Sequence, residues 1–337
     1  MAIVHDVIPP FQLFQPSSLG DALELLEARG HEAWVLAGGM DSFDWLKDRT
    51  KRTSAVIELG QVAELRGIRD AGGGLEIGAM TTLTDVAEHP LVRERFAGLA
   101  EAAGLVASPQ IRNQGTIGGN VSQDARCAYY RRGWDCYRAG GNTCYADTPT
   151  AINREHAILD ADRCVAVSPS DTAPALIALD AQMVIRRRGS ERVVAAADYF
   201  MGPGTDITKM TVLEPGELLT AIRIPATWAG ARAYFEKARD RQVWDFALVN
   251  VASTIRMSGN QIAEARIVVG AVAARPLRLE LVERAIAGRP LTEETAVMAG
   301  EMAIEGAVAL HHNAYKIPLM RNLVRRAVRG GPLPAAT

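Results

Sequence analysis

Val35-Leu36-Ala37-Gly38-Gly39-Met40-Asp41-Ser42-Phe43 is the stretch on which the reading of this chain turns. The apolar run Ala33 to Ala37 has the length of a short buried strand, and it ends on paired glycines. Glycine lets a backbone take positive φ and come close to a ligand. Successive exposed N–H groups then make a concavity suited to a pyrophosphate. Gly-Gly after a strand also makes an ordinary tight turn, so the stretch needs support from its surroundings.

Just upstream, Ser18 precedes Leu19, Ala22, Leu23, Leu25 and Leu26, with Asp21 three residues on and Gly30 after them. That is an N-cap, an apolar helical face and a terminating glycine. Downstream, Phe43 to Asp48 reads as a short helix and Ala55 to Leu59 as a second strand. Residues 1–60 therefore predict a small βαβ-type unit with its glycines at a strand end.

Residues 61–226 mix short elements. A strand is expected at Leu75 to Ile77, an amphipathic helix at Leu91 to Leu105 and a polar glycine-bearing loop over 106–124. Ser170-Asp171 should cap a helix running through Leu179, and Gln182 to Arg187 reads as a strand. Pro225 and Thr227 to Gly230 mark a boundary. After it, the apolar runs Ala247 to Ile255 and Ile262 to Ala273 flank Ser258-Gly259-Asn260, a hairpin signal. Helical patterns follow at Leu277 to Ala287, Thr292 to Ala309 and Ala314 to Val328. The C-terminal part is thus a strand meander followed by helices, an α+β arrangement.

The composition limits the function classes. The 337 residues are 48% apolar and 23% charged, with net charge −2. That balance excludes wholesale disorder and a general nucleic-acid or acidic-membrane binder. No run approaches the ~20 apolar residues that span a bilayer. Met1 to Asp6 lacks a basic segment followed by an apolar one. The expectation is a soluble chain, cytoplasmic or exported to the periplasm with a partner that carries the signal.

A second glycine stretch, Asn113-Gln114-Gly115-Thr116-Ile117-Gly118-Gly119-Asn120, offers backbone and side-chain hydrogen bonds to phosphate or ribose. It lacks the Gly-Lys-Ser/Thr ending of a P-loop and is not a Gly-x-Gly-x-x-Gly helix opening. By itself it is a loop between strands. Two such loops in one chain make a shared phosphate ligand more credible than either alone.

The four cysteines, Cys127, Cys136, Cys144 and Cys164, all fall in one segment. It shows no clear period from Ala125 to about Asp162, and it holds Tyr129, Tyr130, Trp134 and Tyr137. The spacing C-x8-C-x7-C-x19-C matches neither short zinc knuckles nor ferredoxin runs. Two disulfides, a four-cysteine zinc site and an iron–sulfur cluster all remain open. Arg126, Arg131, Arg132 and Arg138 surround the set, as solvated surface charge or as compensation for a cluster or phosphate.

In order and separation, the two glycine stretches resemble the FAD-binding loops of the flavoprotein subunit of molybdenum hydroxylases. Ser168-Pro169-Ser170-Asp171 with Ala173 to Ala181 resembles the family's next segment. Lys237 to Arg241 with Asp245 to Val249, and Ala265 to Val272 followed by Arg275-Pro276, resemble its later signatures. The resemblance covers nearly the whole chain. It implies an α+β architecture: a two-subdomain FAD-binding fold of the PCMH/VAO type over 1–226, then a smaller α+β domain over 227–337. The subdomains would be about 1–60 and 61–226.

The same resemblance implies FAD as cofactor. Leu36, Ala37, Gly38, Gly39, Met40, Asp41, Ser42 and Phe43 would hold it with Gly115, Thr116, Gly118, Gly119 and Asn120. Asp171 would take the adenosine side, Lys237 would lie near the isoalloxazine or phosphate, and Leu219 would pack on the flavin. Met40 stands where the family usually has Thr, so a hydroxyl contact to phosphate is lost. The cysteine-bearing insert, about 125–165, resembles that of periplasmic aldehyde oxidoreductase flavoprotein subunits, which carry an extra [4Fe–4S] cluster. The 4-hydroxybenzoyl-CoA reductase β subunit has an analogous insert. Cys127, Cys136, Cys144 and Cys164 would then be cluster ligands. The implied partners are a molybdenum-cofactor large subunit and a small [2Fe–2S] subunit. Electrons would pass from the substrate through [2Fe–2S] centres to FAD and an external acceptor. No acid–base residue, nucleic acid or membrane span is implied. A zinc- or disulfide-stabilised assembly subunit and a stand-alone flavin oxidase are the competing expectations.

Overall fold

The computed structural model describes residues 8–331. Met1 to Asp6, read above for a leader, lies outside them, as do the outer ends of the two expected domains. Three sheets organise the chain. The first is parallel, in the order Gln12–Phe14, Ala55–Glu58, Ala33–Leu36. Helix Leu19–Arg29 packs on it through Ala22, Leu23 and Leu26. Ser18 Oγ accepts from the Asp21 N–H at 3.1 Å, and Gly30 ends the helix at φ 50°, so both terminal signals act as read. The strand Gln12–Phe14 went unread because three largely exposed residues carry no period.

The second sheet is antiparallel, in the order Ile68–Ala71, Gly74–Gly78, Leu218–Ile224, Gln182–Arg187, Ser190–Ala195. Helix Thr172–Ala178, in which every residue is buried, lies in its core. The expected helix Leu91 to Leu105 is broken. Pro90–Arg95 and Ala97–Gly104 are separate helices, with Phe96 at φ −137°, ψ 50° between them. Phe96 is 1% exposed, so burying its ring sets the bend. The loop expected over 106–124 contains two short helices, Pro109–Arg112 and Ile117–Val121.

The third sheet, Leu277–Arg278, Gln261–Gly270, Val249–Ser258, Arg232–Ala238, is antiparallel and contains the expected hairpin. Helices Glu280–Ile286, Glu293–Ala303 and Lys316–Arg329 cover one face. Phe235, Ala252 and Val268 on this sheet join the core of the second. Trp228, in the expected boundary, is 1% exposed and donates to Asp180 Oδ2 at 2.7 Å. No helix among the described residues is long and apolar enough to cross a membrane.

Candidate functional site

A cleft of about 580 Å³ opens where the three parts meet, a size within the range of small-molecule and cofactor sites. The first glycine stretch enters it at the end of strand Ala33–Leu36. Gly38 needs its missing side chain. A Cβ there would stand 2.2 Å from the Gln114 carbonyl oxygen, so the two glycine loops touch backbone to backbone. Gly39 takes φ +77°, which glycine adopts at little cost. The N–H groups of Gly38, Gly39, Met40 and Asp41 donate to no protein acceptor among the described residues, and all four residues line the cleft.

The second stretch is built differently from its reading. Gly118 N–H donates to Ala79 O at 2.9 Å, Gly119 N–H to Thr116 Oγ at 3.1 Å and Asn120 N–H to Thr116 O at 2.9 Å. These donors are spent on Ala79 and on the helix turn Ile117–Val121, and among the described residues only the first stretch keeps a row of free N–H groups. Asn120 is buried; its Oδ1 accepts from Ser170 Oγ and Thr172 Oγ, each at 2.7 Å.

Ala37, Gly38, Gly39, Met40, Asp41, Ser42, Gly115, Thr116, Gly118, Gly119, Asn120, Asp171 and Leu219 all line the cleft. Leu36, Phe43 and Lys237 do not. Leu36 turns into the core, and Phe43 packs over the Gly39 turn. Lys237 is fully buried, with Nζ 2.5 Å from Asp171 Oδ2 and 3.1 Å from Leu105 O. Asn250 Nδ2 donates to the other Asp171 oxygen at 2.9 Å. Asp171 does not cap its helix, because its carboxylate serves this pair. Ser170 Oγ accepts from Ala173 N–H instead. Burial pushes the Asp171 carboxyl up, against the pull of Lys237 and Asn250.

Asp41 is a junction that the sequence reading missed. Its Oδ1 accepts from Arg126 at 2.7 Å and Arg131 at 2.5 Å, and its Oδ2 from Trp45 Nε1 at 2.9 Å. Arg131 also lies 4.0 Å over the Trp45 ring, and Arg126 4.4 Å over Phe246. Asp124 makes a second junction, with Arg138 at 2.7 Å and Lys51 at 3.1 Å. Burial raises the Asp124 carboxyl, but those two cations outweigh it and hold it below the usual range. Arg138 is therefore a buried structural cation, and Arg131 a partly buried one, rather than solvated charge. Trp244, on the rim, holds φ +65° with its N–H on Ala107 O at 2.8 Å.

The cysteine segment is ordered by its aromatics. Trp134 packs edge-on against Tyr129 and Tyr145, with ring centroids 5.3 and 4.7 Å apart, and Tyr130 lies 5.3 Å from Trp45. All four cysteines are free thiols; no disulfide joins them. Among the described residues no three His, Cys, Asp or Glu side chains gather as a site for a single metal ion. Cys127 packs both against the apolar cluster that holds Cys164 and against the one that holds Cys136. The ligands of a cluster bind different metal atoms, so they stand further apart than those of one ion. Burial pushes Cys127 up to about 11, while the Tyr130 and Tyr129 N–H groups pull the other way. The Ala166 N–H does the same for Cys164. Backbone donors aimed at sulfur suit a ligated thiolate.

Comparison with known proteins agrees with this geometry. The family described as "FAD binding domain in molybdopterin dehydrogenase" matches residues 9–227. "CO dehydrogenase flavoprotein C-terminal domain" matches residues 233–330. The carbon monoxide dehydrogenase medium chain of Hydrogenophaga pseudoflava is 33% identical over 328 residues, covering 96% of this chain and 97% of that one. The aldehyde oxidoreductase FAD-binding subunit PaoB of Escherichia coli is 37% identical over 253 residues, 74% of this chain and 77% of its own. The solved carbon monoxide dehydrogenase from Hydrogenophaga pseudoflava superposes with a TM-score of 0.76 at 32% identity, covering 96% of this chain and 98% of that one.

Proposed function

This chain belongs to the FAD-binding medium subunits of the molybdenum hydroxylases, and from that premise we propose that its cleft binds FAD with the pyrophosphate against the Gly38–Asp41 turn. The row of N–H groups there without a protein acceptor carries this reading, because an anion is what such a row accepts. The bound flavin supplies electron transfer between single-electron centres and a two-electron acceptor.

The chain's own residues bind and position. Leu59, Leu218, Leu219 and Trp244 offer apolar surface to a flat ring. Asp171 presents a fixed wall, and Lys237 holds its carboxyl from behind. Asp41 ties the flavin turn to the cysteine segment through Arg126 and Arg131.

We infer further that Cys127, Cys136, Cys144 and Cys164 ligate a [4Fe–4S] cluster. Four free thiols in one aromatic-walled segment, with N–H groups directed at two of them, support this. The subunit would work in a heterotrimer with a molybdenum-cofactor large subunit and a small [2Fe–2S] subunit, oxidising an aldehyde or N-heterocycle. Its compartment, cytoplasmic or periplasmic, would follow that of its partners. The test is titration of flavin-stripped protein with FAD while flavin fluorescence is followed. One-to-one quenching is expected, and no quenching overturns the reading.

A further inference from the structure

We propose that His156 is a positioning residue that donates its Nε2–H to Cys127 Sγ and thereby raises the reduction potential of the cluster. The assignment rests on the cluster reading above. His156 Nε2 stands 3.3 Å from Cys127 Sγ. The ring is 6% exposed, and Nδ1 is buried without a hydrogen-bond partner. A neutral imidazole carries one N–H. Beside a thiolate, which only accepts, that proton sits on Nε2.

The backbone that carries the ring is held from outside the cysteine segment. Asn313 Nδ2 donates to His156 O at 3.0 Å and to Ala157 O at 3.1 Å, and Asn313 is fully buried. Ile158 N–H reaches Val272 O at 2.9 Å, and His312 N–H reaches Asn153 Oδ1 at 2.9 Å. The C-terminal domain thus fixes the backbone from which the imidazole reaches the sulfur. A donor on a ligating sulfur stabilises the more negative, reduced state and raises the potential. The Tyr129 and Tyr130 N–H groups act on the same sulfur, and His156 adds a side-chain donor that substitution can remove.

The experiment is a redox titration of purified holoprotein as wild type, His156→Leu and His156→Gln, with iron and flavin content measured on each. Gln keeps an N–H near the Nε2 position, and Leu does not. In His156→Leu the reduced-to-oxidised ratio at fixed potential should fall about three- to tenfold, tenfold being about 59 mV for one electron. His156→Gln should stay near wild type. Iron lost from the Leu variant but kept in the Gln variant also supports the donor. An unchanged potential in iron-replete His156→Leu overturns the assignment, as does loss of iron from both variants with flavin retained. Wild type without iron overturns the cluster reading and this assignment together, whereas iron present with an unmoved potential overturns this assignment alone.

Discussion

Lys237 Nζ lies 2.5 Å from Asp171 Oδ2, and both side chains are almost fully withdrawn from water. Removing one partner of such a pair strands a buried charge and costs about 3–5 kcal/mol. Lys237→Met should therefore destabilise the protein strongly in chemical denaturation. Adding Asp171→Asn should recover part of that loss, because the stranded charge is gone. The double-mutant cycle should give a coupling above about 1 kcal/mol. Additive single effects would contradict the pairing.

Asp41 joins the flavin turn to the cysteine segment through Arg126 and Arg131. Hydrogen bonds to charged groups contribute about 1.5–3 kcal/mol. Asp41→Asn should lower flavin and iron content together and speed proteolysis within residues 125–165. Loss of flavin with an unchanged cleavage rate would break the proposed link.

Gly38→Ala places a Cβ 2.2 Å from a backbone oxygen and 2.9 Å from the Gly115 Cα, neither of which can swing aside. The loops must part, at a cost of about 1–3 kcal/mol. That corresponds to about a five- to 150-fold loss of FAD affinity. Fluorescence titration at wild-type affinity would show that the contact does not shape the site.

Lys316 is fully buried, with its ammonium on Glu155 O at 2.7 Å and Ala271 O at 2.8 Å. Burial pushes it down to about 7 from 10.5. Between those values the unfolded chain binds more protons than the folded one, so stability rises with pH across the window. The stability of wild type relative to Lys316→Met should climb by about 1.4 kcal/mol per pH unit above pH 7. Urea denaturation at pH 7, 8 and 9 measures this, and a flat difference would contradict it.

Local signals were legible in the sequence. Ser18, Asp21 and Gly30 bracket their helix, and Ser258-Gly259-Asn260 turns its hairpin, because caps and turns depend on neighbours in the chain. Both glycine stretches pointed to the cleft, since few other residues permit such close backbone approach. What local pattern could not show was pairing across distance. Arg126 and Arg131 meet Asp41 from 85 and 90 positions away, and Lys237 meets Asp171 from 66. The density of arginines around the cysteines was the available clue, and buried acids were the missing half. Asp171 sat at a cap position by pattern, but the buried ammonium outcompeted the helix N-terminus for its carboxylate.

The most direct test is cofactor analysis of the protein purified anaerobically, with flavin, iron and zinc counted per chain. One FAD and about four irons, with a broad visible shoulder beside the flavin bands, is the expected result. A chain with no flavin, or with one zinc in place of iron, would contradict it.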